Sequence, residues 1–413
     1  MASLRPVVTR ALPLPFHYAW VVAAAGMLAV LACLGIGRFS LGMLLPSMGA
    51  ELGLTYAQMG FVSTGNFVGY LLAVLACGAL VRRLGARFVI FLALATVGTT
   101  LLALSRAQGF AAALPLYLLT GVGSGAANVP MMGLVSQWFT RRLRGRAAGI
   151  MVIGSGFAIM LSGILIPEIN ARWGAAGWRY SWAVLGLIVL VIALVCAALV
   201  RNAPAQLGLP PCGPSDTADA STATAVPAAY RRRVLSHLGA IYFLFGFTYV
   251  IYATFIVTTL VKEHGLSENA AGQFWFWVGA LSLFSGPVFG FLSDRFGRRL
   301  GLAAVFGVHA VSYLLAGLQL PGPLLYLSIA LFGLAAWSVP GIMAAAVGDY
   351  LGPAQAVSGF GTITFVFGLG QVTGPALAGL LAQTSGSFAS SYLMAAVAAA
   401  TAGALSLALK APR

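Results

Sequence analysis

Apolar runs of about twenty residues follow one another through almost the whole chain, and they leave few folds open. Read between Gly, Pro and charged breakers, they occupy 18–48, 57–81, 87–105, 110–139, 144–168, 178–200, 236–261, 270–292, 300–318, 322–347, 355–382 and 388–409. A helix crossing about 30 Å of hydrocarbon needs about 20 apolar residues. In lipid every backbone polar group needs an internal partner, so segments this long predict helices. Only 8% of the side chains are charged and 60% are hydrophobic, whereas soluble domains carry roughly a quarter charged residues. A soluble enzyme and a secreted disulfide scaffold are excluded. The first run follows Arg5 and Arg10, but it is too long for the h-region of a signal peptide.

The formal net charge of +15 raises the question of a nucleic-acid partner, and the placement of the charges answers it. Arg5, Arg10, Arg82, Arg83, Arg87, Arg141, Arg142, Arg144, Arg146, Arg201, Arg231, Arg232, Arg233, Arg295, Arg298, Arg299, Lys410 and Arg413 fall on one side of the membrane. Only Arg106, Arg172, Arg179 and Lys262 fall on the other. The asymmetry is a positive-inside signal that puts both termini in the cytoplasm, and no nucleic acid is implied. Cys33, Cys77, Cys196 and Cys212 show no ligand or bridge spacing and read as packing residues. No Walker-type phosphate loop, metal-ligand cluster or nucleophile elbow occurs, so the sequence offers neither an enzyme nor a resident cofactor.

Residues 201–235 interrupt the apolar pattern with Pro, Ala, Ser and Thr, hold Asp216 and Asp219, and end in three arginines. They read as a flexible cytoplasmic linker between residues 1–200 and 236–413, each with six predicted helices. The two halves are copies. Residues 51–87 align without gaps on 263–299, pairing Glu51 with Glu263, Gly53 with Gly265, Gly60 with Gly272 and Gly85 with Gly297. Further on, Pro130 and Gly149 match Pro340 and Gly359. Parallel repeats of this kind predict two six-helix bundles about an axis along the membrane normal, with a substrate site between them near the midplane.

The segment Gly290-Phe291-Leu292-Ser293-Asp294-Arg295-Phe296-Gly297-Arg298-Arg299 resembles the loop signature of the major facilitator superfamily. The first-half copy, Gly78 to Arg87, keeps the glycines and arginines but has Arg82 in place of the acidic residue. Gly35-Ile36-Gly37-Arg38-Phe39 and the stretch Phe367 to Pro375 are similar to the YbfB/YjiJ-type bacterial group within it. The resemblance spans the whole chain. It implies an all-α, twelve-helix secondary transporter of two six-helix bundles, multi-pass in a bacterial inner membrane, moving a small molecule by alternating access.

Arg38 is the one charge inside a span. It lies 13 residues before Glu51, roughly 18–20 Å below that surface at 1.5 Å per residue, too deep to snorkel. All eight acidic residues, Glu51, Glu168, Asp216, Asp219, Glu263, Glu268, Asp294 and Asp349, fall at span ends or in loops. An anionic substrate would supply the missing countercharge. The alternative is that Arg38 binds backbone carbonyls and fastens helices. In the resembled fold Asn66, Tyr249, Tyr252 and Gln371 lie on cavity-lining spans at a similar depth, and Asn128 and Trp337 lie somewhat deeper. Each of these could equally be interhelical glue. His309 falls on a span that faces outward in that fold and reads as structural.

The resemblance also implies a gate at the cytoplasmic ends. Asp294, with Arg295 beside it, should meet the start of span 5 near Arg144 or Arg146 in the outward-facing state, and Asp349 should join Arg298 or Arg299. The alternative is a solvated positive-inside cluster. The expected substrate is a small organic anion, a carboxylate first, bound by Arg38 and coupled to protons or to a counter-anion. The competing expectation is proton-coupled export of lipophilic or cationic compounds, against which Arg38 and the lack of an intramembrane carboxylate both speak. A sensor built on the same fold would need a signalling domain, and the linker is short.

Overall fold

The computed structural model describes residues 16–214, 227–319 and 322–410. Arg5, Arg10, Asp216, Asp219 and Arg413 lie outside the described residues. Within them the regular structure is helical, apart from an isolated bridge between Phe139 and Cys212. The helices are α1 (Ala19–Glu51), α2 (Tyr56–Leu84), α3 (Ala86–Leu104), α4 (Phe110–Trp138), α5 (Arg141–Trp173) and α6 (Gly177–Leu199). They continue as α7 (Ala228–Glu263), α8 (Glu268–Phe296), α9 (Arg298–Gly317), α10 (Gly322–Leu351), α11 (Pro353–Ser385) and α12 (Ala389–Leu407).

Among the described residues, eleven continuous helical stretches are long and apolar enough to cross a membrane. One of them, Arg141–Leu199, contains both α5 and α6. A short 3-10 turn over Gly174–Ala176 joins the two, and Gly174, with φ of +56°, lets the chain turn so that α6 packs back on α5. The glycines that the repeat preserves have a conformational reason. Gly53 and Gly265, and likewise Gly85 and Gly297, adopt positive φ between consecutive helices, where a Cβ would be strained. The following helices begin with local caps: Thr55 and Gln58 form a reciprocal capping box on α2, and the Ser267 hydroxyl accepts from Ala270 N on α8.

Helices α1 to α6 pack mainly on one another, as do α7 to α12, and most of the contact between the described parts of the sets comes from α5 with α8, α2 with α11, and α1 with α7. These contacts are uneven along the helices. At the end that holds Glu51 and Glu268, the sets touch backbone to backbone. A Cβ at Gly163 would meet the Gly272 carbonyl, and one at Gly279 would meet the Gly156 carbonyl. Gly60 similarly abuts Pro375 and Gly379. Cross-set hydrogen bonds reinforce this end: Asn170 Nδ2 donates to Glu268 Oε2 at 2.6 Å, Tyr56 N to Gln383 Oε1 at 3.1 Å, and Thr64 Oγ1 to Val372 O at 2.9 Å. Toward the arginine-rich end, Gly149 and Gly286 continue the same seven-residue stripes yet have open space in front of them. The helices have parted there.

The linker region differs from the sequence reading. Residues 201–214 are docked under α4: Trp138 Nε1 donates to Arg201 O at 3.0 Å, Cys212 N to Trp138 O at 2.8 Å, and Thr140 N to Cys212 O at 3.0 Å. Asn202 Oδ1 also accepts from Arg87 N at 2.8 Å. These bonds satisfy backbone groups at helix ends, which composition does not reveal. Helix α7 begins at Ala228, so 228–235 is helix as well.

Candidate substrate site

Arg38 sits on an irregular stretch of α1. From Leu31 to Phe39 the helix widens to π geometry, the kind of bulge that recurs at functional sites. Carbonyls around the bulge accept from neighbouring helices. Ser124 Oγ donates to Cys33 O at 2.7 Å, Asn66 Nδ2 to Gly37 O at 3.2 Å, and Tyr117 OH to Arg38 O at 2.8 Å. α2 and α4 therefore fix the backbone that presents Arg38, and the guanidinium is not the fastener. Its bond to Asn66 is a long one, Nε to Oδ1 at 3.4 Å, and on the other side the guanidinium approaches the Tyr249 hydroxyl. Its Cζ lies 4.6 Å from the ring centroids of both Phe67 and Tyr70, a favourable placement for a cation. Nη2 is buried and has no partner, and among the described residues no carboxylate reaches Arg38.

The other expected residues separate into two groups. Asn128 belongs beside Arg38: its Nδ2 donates to Tyr70 OH at 2.8 Å, and Tyr70 carries the Arg38 guanidinium over its ring. Tyr249 faces them from α7, close enough for the Arg38 charge to act on it, and its hydroxyl accepts from Gln371 Nε2. Trp337 packs edge-on against Tyr249 with centroids 5.7 Å apart, and against Phe39 at 4.9 Å. It sits where α10 breaks between Ala335 and Ser338. Pro340 has no N–H to continue the ladder, and Ser285 Oγ accepts from Trp337 N at 3.0 Å. The Trp337 indole N–H is buried and unpaired.

Two residues stand differently from the sequence reading. Tyr252 points into the α7–α12 set: its hydroxyl pairs with Ser328 Oγ at 2.8 Å, and its ring stacks on Phe332 at 4.3 Å. Three residues beyond Tyr249 on a helix, it is turned by about 60°, enough to leave the central face. Asn66 is fully buried, and its amide is engaged with Gly37, Tyr117 and Arg38. It positions the arginine. The reading also missed Phe67, Tyr70 and Phe39. Tyr70 stands one helical turn from Asn66 on the arginine-rich side, and that spacing was the available signal. Phe367 and Phe245 flank Tyr249 in a near-parallel stack, with centroids 6.0 and 5.0 Å away. His309 is buried against Phe245 and Tyr313, away from the centre.

At the arginine-rich end, Asp294 pairs with Arg298, whose Nε donates to Asp349 Oδ2 at 2.7 Å. Arg295 lies over Phe296, with Cζ 5.8 Å from the ring centroid. Arg144 caps α4, donating to Phe139 O at 3.1 Å and Ser136 O at 3.0 Å. Arg146 is exposed. With this end parted, neither Arg144 nor Arg146 touches Asp294.

Membrane-crossing helices in two facing sets, with polar side chains gathered between them, define the class of secondary transporters. Residues 30–407 match the model of the family described as "Uncharacterised MFS-type transporter YbfB", and the chain belongs to that family. It is a multi-pass membrane protein, and the family and its relatives are transporters. The hexuronate transporter of Bacillus subtilis (strain 168) is 24% identical, over 87% of this chain and 87% of its own length. Monocarboxylate transporter 11 of Mus musculus is 28% identical, over 91% and 84%. The quinolone resistance transporter of Acinetobacter baumannii is 26% identical, over 86% and 85%. Among solved structures, the nucleoside transporter NupG superposes with a TM-score of 0.72 over 95% of this chain and 99% of that one, at 14% identity. That likeness concerns the fold alone.

Proposed function

We propose that the protein carries a small organic anion, a carboxylate in the first instance, across the membrane by alternating access, with Arg38 binding the anion. The observation that carries this reading is the state of Arg38: a cation at mid-membrane depth, with no carboxylate partner among the described residues and an unused Nη2 donor. It sits where the two helix sets face each other. A guanidinium left this way is complementary to a carboxylate. The names of the hexuronate and monocarboxylate relatives support the same chemistry. In this reading the chain crosses the membrane twelve times in two six-helix bundles, 1–200 and 236–413. The arginine-rich end faces the cytoplasm of a bacterial inner membrane, and the structure corresponds to the state open to that side. Asp294, Arg295, Asp349, Arg144 and Arg146 form the gate that closes when the cycle turns, and protons or a counter-anion drive it.

The quinolone resistance relative favours a second reading, export of lipophilic or cationic compounds. A thermal-shift screen of the full-length protein in detergent separates the two. Its panel holds monocarboxylates, sugar acids, dicarboxylates, sulfonates and lipophilic cations. A ligand at 100 times its Kd adds about 2.7 kcal/mol of stability. Stabilisation by one class of carboxylates, lost in Arg38→Ala, is the expected result. Stabilisation by cations alone, indifferent to Arg38→Ala, would replace the anion reading with the export reading.

A further inference from the structure

The polar atoms around Arg38 that the protein leaves without partners differ in kind, and that difference describes a ligand. Two of them are donors: Arg38 Nη2 and Trp337 Nε1 are buried and unpaired. The hydroxyls of Tyr70 and Tyr249 add two more. Each accepts a hydrogen bond, from Asn128 Nδ2 and Gln371 Nε2 respectively, and a phenol that accepts still has its own proton to give. The one orphan of the opposite kind is Asn128 Oδ1, buried and without a donor. A buried amide oxygen left unmatched is costly, and with Nδ2 on Tyr70 it is the oxygen of Asn128 that is left over.

We propose that the transported anion is a hydroxy-carboxylate, its carboxylate on Arg38 and a hydroxyl donating to Asn128 Oδ1. This rests on the anion reading and narrows it. The donor must be neutral, because an ammonium on the ligand would stand beside the Arg38 guanidinium and be repelled. Tyr70 ties the two groups together: Arg38 lies over its ring and Asn128 holds its hydroxyl. Trp337 and Tyr249, packed edge-on against each other on the opposite helices, supply aromatic side chains of the kind that suit a flat ring or the apolar face of a sugar ring.

The test uses matched acids on the full-length protein in detergent: benzoate against 4-hydroxybenzoate, and cyclohexanecarboxylate against 4-hydroxycyclohexanecarboxylate. Affinity comes from thermal shift and from competition in proteoliposome uptake. The hydroxylated member of each pair is expected to bind about tenfold or more tightly. Asn128→Leu, which removes the orphan oxygen, is expected to erase the preference between the members of each pair. Arg38→Ala is expected to lose both acids. Equal binding of matched acids by the unmodified protein would overturn the inference and place the Asn128 NH2 toward the ligand, with the anion reading intact. Binding of lipophilic cations and no acid would overturn the anion reading itself. The unmodified protein decides between these outcomes, so the inference remains testable if Asn128→Leu does not fold.

Discussion

Arg38 shows how much a single position can say and where that ends. Its depth and the absence of a carboxylate at its level were both readable by counting along the chain, because helical rise is fixed. Whether it fastens helices or waits for a ligand was not readable. The structure assigns the fastening to Ser124, Asn66 and Tyr117, which take the carbonyls around the π-bulge. The two roles make opposite predictions for stability. Arg38→Met should leave the unliganded protein as stable as before or slightly more so, since it removes an unpaired buried charge. Asn66→Ala should cost about 1–3 kcal/mol by leaving the Gly37 and Tyr117 carbonyls without donors. Thermal denaturation in detergent measures both. Arg38→Lys should keep the charge yet lose about tenfold or more in anion affinity, because an ammonium cannot reproduce the planar donor fork. Tyr252 makes the complementary point: depth placed it with the site, and rotation about α7 put it in the interior of its own set.

At the scale of the helix, the informative pattern is a pair of seven-residue glycine stripes. Gly149, Gly156 and Gly163 on α5 run antiparallel to Gly286, Gly279 and Gly272 on α8. The inner two rungs are in backbone contact and the third is open. On α2 and α11, Gly60 touches Gly379 and Leu71 meets Gly368, while Gly78 and Gly361 stand free in the same register. Repeat-related helices thus carry the same half-closed seam. If the third rungs close when the arginine-rich end shuts, bulk there should jam the cycle without harming the site. Gly149→Leu or Gly286→Leu should abolish proteoliposome uptake while preserving ligand-induced thermal stabilisation. Gly156→Leu and Gly279→Leu should instead lower expression or Tm, because their Cβ atoms collide in the present state. Loss of both uptake and ligand stabilisation in Gly149→Leu would contradict the rocking seam.

For the molecule as a whole, the present state is held by contacts at the Glu51 end, so weakening them should shift the balance between states. Asn170 reaches across that end to Glu268 at 2.6 Å and is held on its own side by Ser47 at 3.2 Å. Asn170→Ala should cost the closed end about 1–2 kcal/mol, about a tenfold change in population. A cysteine introduced at Ser162, buried against Trp275, should then react faster with a membrane-impermeant maleimide from that side. An unchanged rate would mean that the small-residue contacts alone hold the end shut. Orientation is testable as simply: a reporter fused after the C-terminus should be active in the cytoplasmic format and inactive in the exported one.

The sequence by itself determined that the chain lives in lipid, where its helices run, that its halves repeat, and that one arginine is stranded at mid-depth. Those features follow from rules local to a segment: the length of an apolar run, the φ that only glycine tolerates at Gly53 and Gly265, the rise per residue. The tertiary structure decided what no segment specifies. It turned Tyr252 inward and Tyr249 toward Arg38, engaged Asn66 in support, brought Tyr70 under the guanidinium, docked 201–214 beneath α4, and parted one end of the molecule while closing the other. Helix rotation, partner choice and the state of the seam are set by packing between segments distant in sequence, where small differences in contact energy select among arrangements that the local rules permit equally.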